Sequence, residues 1–485
     1  MAAVDLHSQS NKRSAMLTAV VGVLAVTTMG LGQNQKSQST PRDPGAAAAT
    51  GSQAQSLKDA INDGHAKQVI LFIGDGMGDS EITAARNYEV GANGRLNMDS
   101  LPLTGAYTTY SLDDKDPTQI DYVTDSAASG TGWATGVKTS NGRISTPAGS
   151  TDTTPLVTIL ELAQRAGLRT GNITTAELTD ATPAVLDSHV NSRVCQGPAD
   201  MTPCSLFKKE FDGPGSIAEQ TVDHHVDVLM GGGKLRFLQP ITGGQYEGKT
   251  VIESAQAQGY QVVNDATELK AAKPGQRLLG LFADVNMTNE WSGTPAMLFP
   301  GSGPQSCIEH QRERGSREPS LADMTTKAIE LLTSGADAKT GFFLQVEGAS
   351  IDKNDHAENP CAQIGETIAF DHAIKVGLEF ARTHPDTLIV VTADHGHTSQ
   401  IVGVPTSTET IPRPGAISTL ITKEGSFMTM NYATRAHMQS QDHTGTEVRI
   451  AAQGPEAYRV LGVTNQTDLF HTIARALSLT KEGTR

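Results

Sequence analysis

One serine and several aspartates and histidines are spaced in this chain as a nucleophile and metal ligands would be. Ser126 follows an acidic residue in the run Asp121-Tyr-Val-Thr-Asp-Ser-Ala-Ala-Ser-Gly130. The segments that carry candidate ligands are Gly74-Asp75-Gly-Met-Gly-Asp79, Asp352-Lys-Asn-Asp-His356, Thr392-Ala-Asp-His395 and Asp442-His-Thr-Gly445. Two metals roughly 3.5–4 Å apart can hold both the entering and the leaving oxygen of an in-line displacement. The combination therefore predicts phosphoryl transfer at a two-metal site.

Ser126 is the candidate nucleophile. A serine hydroxyl is a weak nucleophile at neutral pH and needs a base or a metal to activate it. The small residues at 127–131 predict a helix start, whose free N–H groups attract phosphate. A serine after an aspartate is by itself typical of a helix cap, so this prediction depends on the ligands that accompany it.

Two aspartates and three histidines are candidate metal ligands. Asp352 and His356 are four residues apart, so on a helix they face the same way and can bind one metal. Asp394 and His395 directly follow a predicted strand, where a turn allows both side chains to bind. His443 lies in a predicted loop, and its assignment depends most on the rest of the pattern.

Three further residues complete the candidate site. Asp75 is bracketed by glycines, which let the backbone approach an ion closely. Glu347, also at a strand exit, could serve a third, harder cation such as Mg²⁺. Arg193 offers a planar donor fork for two phosphate oxygens. We interpret His397, which is close to these ligands in sequence, as a neighbour and not a ligand.

The elements that position these residues follow from apolar runs. The runs at 69–73, 342–346 and 387–392 predict buried strands with acidic residues just past their ends, and 157–166 and 361–382 have helical spacing. Strands alternating with helices predict a three-layer α/β/α sandwich with a central, largely parallel β-sheet. Ligands of such sheets bind beyond the carboxyl ends of the strands, where the candidate residues lie.

The composition permits a large core and excludes one class of partner. Hydrophobic residues are 37% and charged residues 19% of 485 positions, and the net charge is −15. That charge excludes a nucleic-acid-binding surface, which needs a basic footprint. Bound cations would make the charge locally positive. The regions 234–317 and 402–430 carry no obvious chemistry, and we expect the second to be an inserted surface element.

The N-terminus is typical of an exported protein. A basic pair precedes an uncharged stretch at 14–35 with an apolar centre, the pattern of a secretory signal. We predict a signal peptide over 1–32, a flexible linker over 33–56 and a catalytic domain over 57–485, in a periplasmic or secreted protein. An uncleaved membrane anchor is the alternative, because the uncharged run approaches spanning length; no second apolar segment does.

Four cysteines fit an oxidising compartment. They allow three pairings, and the sequence alone does not choose among them. Cys195 and Cys204 are close together in a loop with glycine and proline, which favours a local bridge, and Cys307 and Cys361 would then form the second. Four free buried thiols are the alternative.

Together these segments resemble the bacterial periplasmic alkaline phosphatases. The similarity runs in order from about residue 57 to 480 and includes the cysteines and the pairing favoured above. The matching stretches are Phe72-Ile-Gly-Asp-Gly-Met-Gly-Asp79, Asp121-Tyr-Val-Thr-Asp-Ser-Ala-Ala-Ser129, Thr175-Ala-Glu-Leu-Thr-Asp-Ala-Thr-Pro183, Gly341-Phe-Phe-Leu-Gln-Val-Glu-Gly-Ala-Ser-Ile-Asp-Lys-Asn-Asp-His356, Thr392-Ala-Asp-His395 and His443-Thr-Gly445. Each stretch is moderately specific alone, and all of them in order are highly specific.

The resemblance implies a site for two zinc ions and one magnesium ion. The ligands that it implies are Asp352, His356 and His443 for the first zinc, Asp75, Asp394 and His395 for the second, and Asp75, Thr182 and Glu347 for the magnesium. Asp180 and Lys353 would support the magnesium ligands without binding the ion themselves. They stand where some relatives have histidine, which favours Mg²⁺ over other metals there.

The implied reaction is hydrolysis of phosphate monoesters by double displacement through a phosphoserine at Ser126. Arg193 would hold the phosphate, and Asp125 would steady that arginine. Because the leaving alcohol needs little contact with the protein, the substrates would be small-molecule monoesters of almost any kind. The resemblance also implies a homodimer.

Other functions are less consistent with these residues. A phosphodiesterase of the same fold often uses threonine as nucleophile and lacks an arginine for the second non-bridging oxygen, so Ser126 and Arg193 favour monoesters. A sulfatase needs a modified nucleophile in a setting that surrounds none of the cysteines. A non-catalytic exported protein that binds zinc or phosphate would not need an intact nucleophile.

Overall fold

The helices of the fold are mostly short and connect the strands of a large sheet. The computed structural model describes residues 51–310, 317–334, 340–406 and 413–479. Its helices are α1 (Gly51–Ala60), α2 (Asp79–Val90), α3 (Ser126–Thr135), α4 (Ile159–Arg165), α5 (Ala181–Asp187), α6 (Ile217–Asp223), α7 (Lys234–Phe237), α8 (Val251–Ala257), α9 (Ala266–Ala271), α10 (Leu321–Leu332), α11 (Ser350–His356), α12 (Pro360–Thr383) and α13 (Asp468–Ala476). The stretches 157–166 and 361–382, predicted as helical, correspond to α4 and α12.

The strands form one large sheet and three smaller ones. They are β1 (Gln68–Gly74), β2 (Leu103–Thr108), β3 (Ser111–Leu112), β4 (Ile120–Asp121), β5 (Arg169–Glu177), β6 (Val228–Gly232), β7 (Tyr260–Val263), β8 (Arg277–Leu281), β9 (Trp291–Ser292), β10 (Met297–Leu298), β11 (Ser302–Gln305), β12 (Ile308–Glu309), β13 (Phe342–Gly348), β14 (Thr387–Ala393), β15 (Gln400–Val402), β16 (Ala416–Ile421), β17 (Phe427–Tyr432), β18 (Val448–Gln453) and β19 (Gly462–Asn465). The three predicted strands correspond to β1, β13 and β14.

The large sheet has ten strands in the order β19-β2-β18-β14-β1-β13-β5-β6-β8-β7. Its neighbours run parallel except where β18 pairs with β14 and with β2. On one side α12 packs with α2, α10 and α11, while α3 packs with α4, α5 and α13 in a second group, and β13 contacts helices of both groups. The predicted three-layer sandwich with a largely parallel sheet is confirmed.

The three central strands of the large sheet end side by side, and the site lies at those ends. β1, β13 and β14 are buried along their whole length, as parallel strands covered on both faces require. Gly74 is in register with Gly348 on one side and with Ala393 on the other. The residues that follow these strands therefore leave the sheet side by side at its carboxyl edge.

Parts of the two regions without predicted chemistry meet in a small second sheet. Its order is β10-β16-β17-β15, with β11 also pairing with β16. The hairpin of β16 and β17 makes the region 402–430 an insertion outside the large sheet, as expected. The region 234–317 also contributes to the large sheet, because it supplies β7 and β8 at one edge.

The N-terminal predictions fall mostly outside the described residues. The signal peptide predicted over 1–32 and the linker positions before residue 51 lie there, and α1 covers the last positions of the predicted linker. Among the helices that are described, none is long and apolar enough to cross a bilayer.

Both predicted disulfides are present. Cys195 pairs with Cys204 and Cys307 with Cys361, so the alternative of four free thiols is wrong. The first bridge closes a short loop directly after Arg193. The second ties the segment between β11 and β12 to the start of α12.

Removing the two bridges should destabilise the protein unequally. A bridge restricts the unfolded chain more when it closes a longer loop, and the separations here are 9 residues for Cys195–Cys204 and 54 for Cys307–Cys361. Replacing both cysteines by alanine should lower the unfolding free energy by about 3 kcal/mol for the first pair and about 4 kcal/mol for the second. Thermal unfolding of the two double variants tests this, and a larger loss from the short loop would contradict it.

Candidate active site

The first cluster of candidate ligands converges on one carboxylate oxygen. α11 places Asp352 and His356 one helical turn apart, and loops bring His397 and His443 to them. Oδ1 of Asp352 lies 3.4 Å from Nε2 of His356, 3.1 Å from Nε2 of His397 and 3.3 Å from Nε2 of His443. The two imidazole nitrogens of His356 and His443 are 3.2 Å apart. The predicted ligands of the first zinc are thus together.

Hydrogen bonds to the far side of the rings identify which nitrogens are free to bind a metal. Nδ1 of His443 donates to the carbonyl of Thr124 at 3.0 Å, and Nδ1 of His356 donates to the carbonyl of Gln441. Each Nε2 atom therefore faces the other ring and Asp352. Burial lowers the pKa of His443, but its contact with Asp352 raises it to about 9, so in the cation-free protein a proton occupies this position. A metal ion would replace that proton, while the hydrogen bonds from Nδ1 to backbone carbonyls orient the rings as they do in zinc-binding histidines. The residues fit a zinc ion.

His397 has the opposite tautomer. Its Nδ1 accepts a hydrogen bond from the backbone N–H of Thr398 at 2.8 Å, so its proton is on Nε2, next to Asp352. Burial lowers the pKa of His397 to about 4, which leaves the ring neutral. His397 therefore positions the carboxylate, in agreement with its interpretation as a neighbour. The sequence gives no signal for this role, because it depends on a backbone N–H group.

The second cluster lies beside the first at the ends of β1 and β14. Nε2 of His395 is 3.1 Å from Oδ2 of Asp394 and 3.5 Å from Oδ1 of Asp75, and all three residues are buried. The backbone N–H of Gly76 donates to Oδ1 of Asp394 at 2.8 Å, which leaves Oδ2 directed at the cluster. The rings of His395 and His443 stack with centroids 3.6 Å apart, so the two clusters share one cavity.

Ser126 reaches the second cluster from the start of α3. Its Oγ lies 3.3 Å from Nε2 of His395 and 3.5 Å from Oδ1 of Asp75. The helix is capped by Asp125, whose side chain accepts from the N–H of Ala128 at 2.9 Å. The reading of Ser126 as only a helix cap is therefore wrong. Its hydroxyl is buried against candidate metal ligands at a helix N-terminus, where an anion is stabilised.

A chain of ion pairs holds Arg193 at the cavity. Its Nη1 is 3.1 Å from Oδ2 of Asp125, and its Nη2 is 2.8 Å from Oδ1 of Asp180. Oδ2 of Asp180 in turn lies 2.7 Å from Nζ of Lys353. Burial lowers the pKa of Arg193, but the two carboxylates outweigh it and raise the pKa. The guanidinium stays charged, and its side chain is 30% exposed, so a ligand can reach it.

The predicted magnesium ligands meet where β13 pairs with β5. Glu347 is in register with Thr174, whose hydroxyl donates to it. Oγ1 of Thr182 is buried in the same corner. Burial raises the pKa of Glu347 to about 8, although contacts with the hydroxyls of Thr174 and Thr182 act in the opposite direction. An acidic side chain and two hydroxyl oxygens in one buried corner fit a cation that prefers oxygen ligands.

A comparison with known protein families decides the assignment. The family described as alkaline phosphatase matches residues 66–439 and 419–479. The chain belongs to the alkaline phosphatase family. It is 50% identical over 455 residues to the alkaline phosphatase of Escherichia coli K12, covering 92% of this chain and 94% of that protein. It is also 50% identical over 420 residues to streptomycin-6-phosphate phosphatase of Streptomyces griseus, covering 85% of this chain and 91% of that protein.

Solved structures agree on the fold. The alkaline phosphatase of Thermus thermophilus superimposes with a TM-score of 0.64 at 23% identity, over 90% of this chain and 96% of that one. The enzyme of the Antarctic bacterium TAB5 also gives a TM-score of 0.64 at 23% identity. The family resemblance noted in the sequence is confirmed. The protein is a metal-dependent alkaline phosphatase, an enzyme that hydrolyses phosphate monoesters.

Removal of the metals should make the stability of this alkaline phosphatase fall as the pH rises. In the cation-free protein the pKa of Glu347 is about 8, against an ordinary value of 4.5. Between these values the folded state keeps a proton that the unfolded state has lost, so raising the pH favours unfolding. Burial also raises the pKa of Asp75, which acts in the same direction.

Thermal unfolding of the EDTA-treated protein at several pH values between 5 and 9 measures this effect. The melting temperature should decline with pH, and Zn²⁺ with Mg²⁺ should flatten the decline. Glu347→Gln should also reduce it, because the amide does not titrate. An equally steep decline in Glu347→Gln would show that this carboxyl is not responsible.

Proposed function

We propose that this alkaline phosphatase hydrolyses a broad range of phosphate monoesters through a phosphoserine intermediate, at a site for two zinc ions and one magnesium ion. The observation that carries the proposal is the position of the Ser126 hydroxyl, within 3.5 Å of ligand atoms of both His395 and Asp75. A nucleophile in contact with candidate metal ligands, and with Arg193 nearby through Asp125, has the parts that an in-line displacement requires.

The chain offers a ligand set for each cation, with Asp75 shared by the second zinc and the magnesium. The sets are Asp352, His356 and His443 for one zinc, Asp75, Asp394 and His395 for the other, and Asp75, Thr182 and Glu347 for magnesium. Cations bound there would supply Lewis acidity, which stabilises negative charge on the oxygen atoms of the reactants. Lys353 and Asp180 hold the magnesium corner by their ion pair and keep it close to Arg193.

The protein's own residues carry two displacements. Oγ of Ser126 loses its proton to water and attacks phosphorus, and the bond from phosphorus to the ester oxygen breaks as that oxygen leaves on the opposite side and takes up a proton from water. Water then attacks the phosphoserine and the bond from phosphorus to Oγ breaks. A proton from the attacking water restores the serine hydroxyl, and inorganic phosphate leaves. Arg193 holds two non-bridging oxygens through both steps with its planar fork. Asp125 and Asp180 fix the plane of that fork, since each accepts from one of its terminal nitrogens.

The surroundings of the site support broad specificity. A cleft of about 650 Å³ opens beside Lys353 and His356, and the exposed side chain of Met297 lines it. A leaving alcohol can therefore extend into open space without a shaped wall around it. The Streptomyces griseus relative is named for streptomycin-6-phosphate. The phosphodiesterase alternative is disfavoured, because Arg193 would hold two unesterified oxygens in addition to one that faces the cations, and only a monoester has three.

We also propose where the enzyme is located and how it assembles. The N-terminal pattern at 1–32 supports a signal peptide, followed by a linker over 33–56 and the catalytic domain over 57–485. Two formed disulfides support an oxidising compartment, either the periplasm or the medium. We also infer a homodimer by family resemblance and no binding of nucleic acid, given the net charge of −15. The mass of the exported protein would test the cleavage, and its size in solution would test the dimer.

Replacing Ser126 tests the phosphoserine. Ser126→Ala should abolish the covalent phosphoenzyme and lower turnover by several orders of magnitude, while the zinc content stays nearly unchanged. Ser129→Ala is a matched control, because this buried serine lies in the same helix and, among the described residues, its hydroxyl bonds only to the backbone carbonyl of Ser126, at 3.4 Å. Acid quenching after mixing with ³²P-labelled substrate measures the intermediate. A labelled Ser126→Ala protein would contradict the assignment.

Replacing Arg193 tests the phosphate contact. Arg193→Ala removes two charge-assisted hydrogen bonds, so inhibition by inorganic phosphate should weaken by roughly 10- to 100-fold, with slower turnover remaining. The exposed Arg165 at the end of α4 provides a control, since Arg165→Ala removes the same charge at a distance from the site. Unchanged phosphate inhibition in Arg193→Ala would count against the proposed role.

A further inference from the structure

A third group of metal-binding side chains lies apart from the two catalytic clusters. It consists of Glu161 on α4, His189 in the segment after α5, and His224 at the end of α6. Oε1 of Glu161 lies 3.4 Å from Nε2 of His189 and 3.3 Å from Nε2 of His224. The three residues are far apart in the sequence, and no motif joins them. The fold alone brings them together.

Glu161 lies at the distance from each histidine that a shared zinc ion requires, and the ligand atoms of all three residues lie within 4.8 Å of one another. Zinc bound tetrahedrally to nitrogen and oxygen at about 2.0–2.1 Å places neighbouring ligand atoms about 3.3–3.4 Å apart. The catalytic clusters provide an internal comparison, because the oxygens of Asp352 and Asp394 lie 3.1–3.4 Å from the Nε2 atoms around them. The group around Glu161 therefore has the dimensions of the two clusters that the family uses for metal.

The tautomers of both histidines also match those of metal ligands. Nδ1 of His189 donates to the carbonyl of Ser145 at 3.0 Å, and Nδ1 of His224 donates to the carbonyl of Gln220 at 2.9 Å. Each neutral ring thus directs the lone pair of Nε2 at Glu161. His356 and His443 in the catalytic site show the same arrangement, whereas His397, which positions a carboxylate, shows the opposite one.

The carboxylate is fixed in place and charged. Oε2 of Glu161 accepts from the N–H of Thr158 at 2.8 Å in a capping box at the start of α4, which leaves Oε1 directed at the histidines. Burial raises the pKa of Glu161, but its contacts with the two histidines outweigh it and hold the pKa well below the ordinary range. Nε2 of His189 is buried, and within the described part of the chain it has no partner of hydrogen-bond geometry.

We propose that Glu161, His189 and His224 form a structural zinc site, separate from the catalytic metals and open to solvent at one coordination position. The opening is on the side of His224 and Glu161, whose side chains are 22% and 16% exposed. A zinc ion there would join α4 and α6 to the segment after α5. That segment continues from His189 to Arg193, so the site would steady the backbone that carries the phosphate-binding arginine.

The competing explanation is an ion pair without metal. A proton on Nε2 of His224 could take the place of zinc between that ring and Glu161. Burial lowers the pKa of His224, yet its contacts with Glu161 and Gln220 raise it overall. The two explanations differ in zinc content, which a direct measurement resolves.

The test compares the zinc content of three full-length proteins. Wild type, His224→Asn and His225→Asn are equilibrated with Zn²⁺ and Mg²⁺, separated from free metal by gel filtration, and analysed by plasma mass spectrometry. His225 is the matched control: it is the exposed neighbour, and its φ of +54° suits asparagine. His224→Asn should contain one zinc per chain less than wild type and His225→Asn. Its unchanged hydrolysis of an aryl phosphate would show that the fold and the catalytic metals are intact.

A second variant keeps the test decisive if His224→Asn folds poorly. Glu161→Gln removes the charged ligand, while glutamine can retain the capping box that begins α4. It should lose the same single zinc and melt at a lower temperature than wild type only when Zn²⁺ is present. Equal zinc content in wild type and in either folded variant would overturn the proposal and leave the cluster as an ion pair. Loss of the zinc from His225→Asn as well would also overturn it.

Discussion

The structure depends on the concentration of buried negative charge at the carboxyl edge of the sheet. Asp75, Asp352, Asp394 and Glu347 all lie buried around one cavity. Carboxylates so placed repel each other and are poorly solvated, so each must be protonated, paired with a positive group or bound to a cation. Burial raises the pKa of Asp75 and of Glu347, whereas contacts with neighbouring histidines outweigh burial and lower the pKa of Asp352 and of Asp394. Bound divalent cations would compensate the excess negative charge and create a site for an anionic phosphate.

The parallel sheet makes this arrangement possible. The register of β1 with β13 and β14 ends three strands at one level, and their burial on both faces leaves little freedom to shift. Asp75 and Asp394 follow two of these strands, and Glu347 lies near the end of the third. The serine and the arginine come from other elements, α3 and the segment after α5. The scaffold therefore fixes the metal ligands most rigidly and brings the reacting groups to them.

Much of this could be predicted from the sequence, because the central strands are continuous apolar runs and the ligands sit at their exits. Non-local pairing could not be predicted: nothing in the composition of 297–305 indicates that it joins the hairpin of β16 and β17. The tautomer of His397 depends on the N–H of Thr398, and the cap of α3 proved to be Asp125. The cluster of Glu161, His189 and His224 forms only when α4, α6 and the segment after α5 pack together, so the spacing of these residues along the chain does not indicate it.

Metal-dependent hydrolysis of monoesters is tested most directly by release of the aryl alcohol from an aryl monoester and from the matching aryl diester at mildly alkaline pH. Each substrate is measured with the protein as isolated, after EDTA, and after Zn²⁺ and Mg²⁺ are added back. We expect strong monoester turnover that EDTA abolishes and that both metals together restore, with much slower turnover of the diester. Preferential hydrolysis of the diester, or monoester turnover that survives complete removal of the metals, would contradict it.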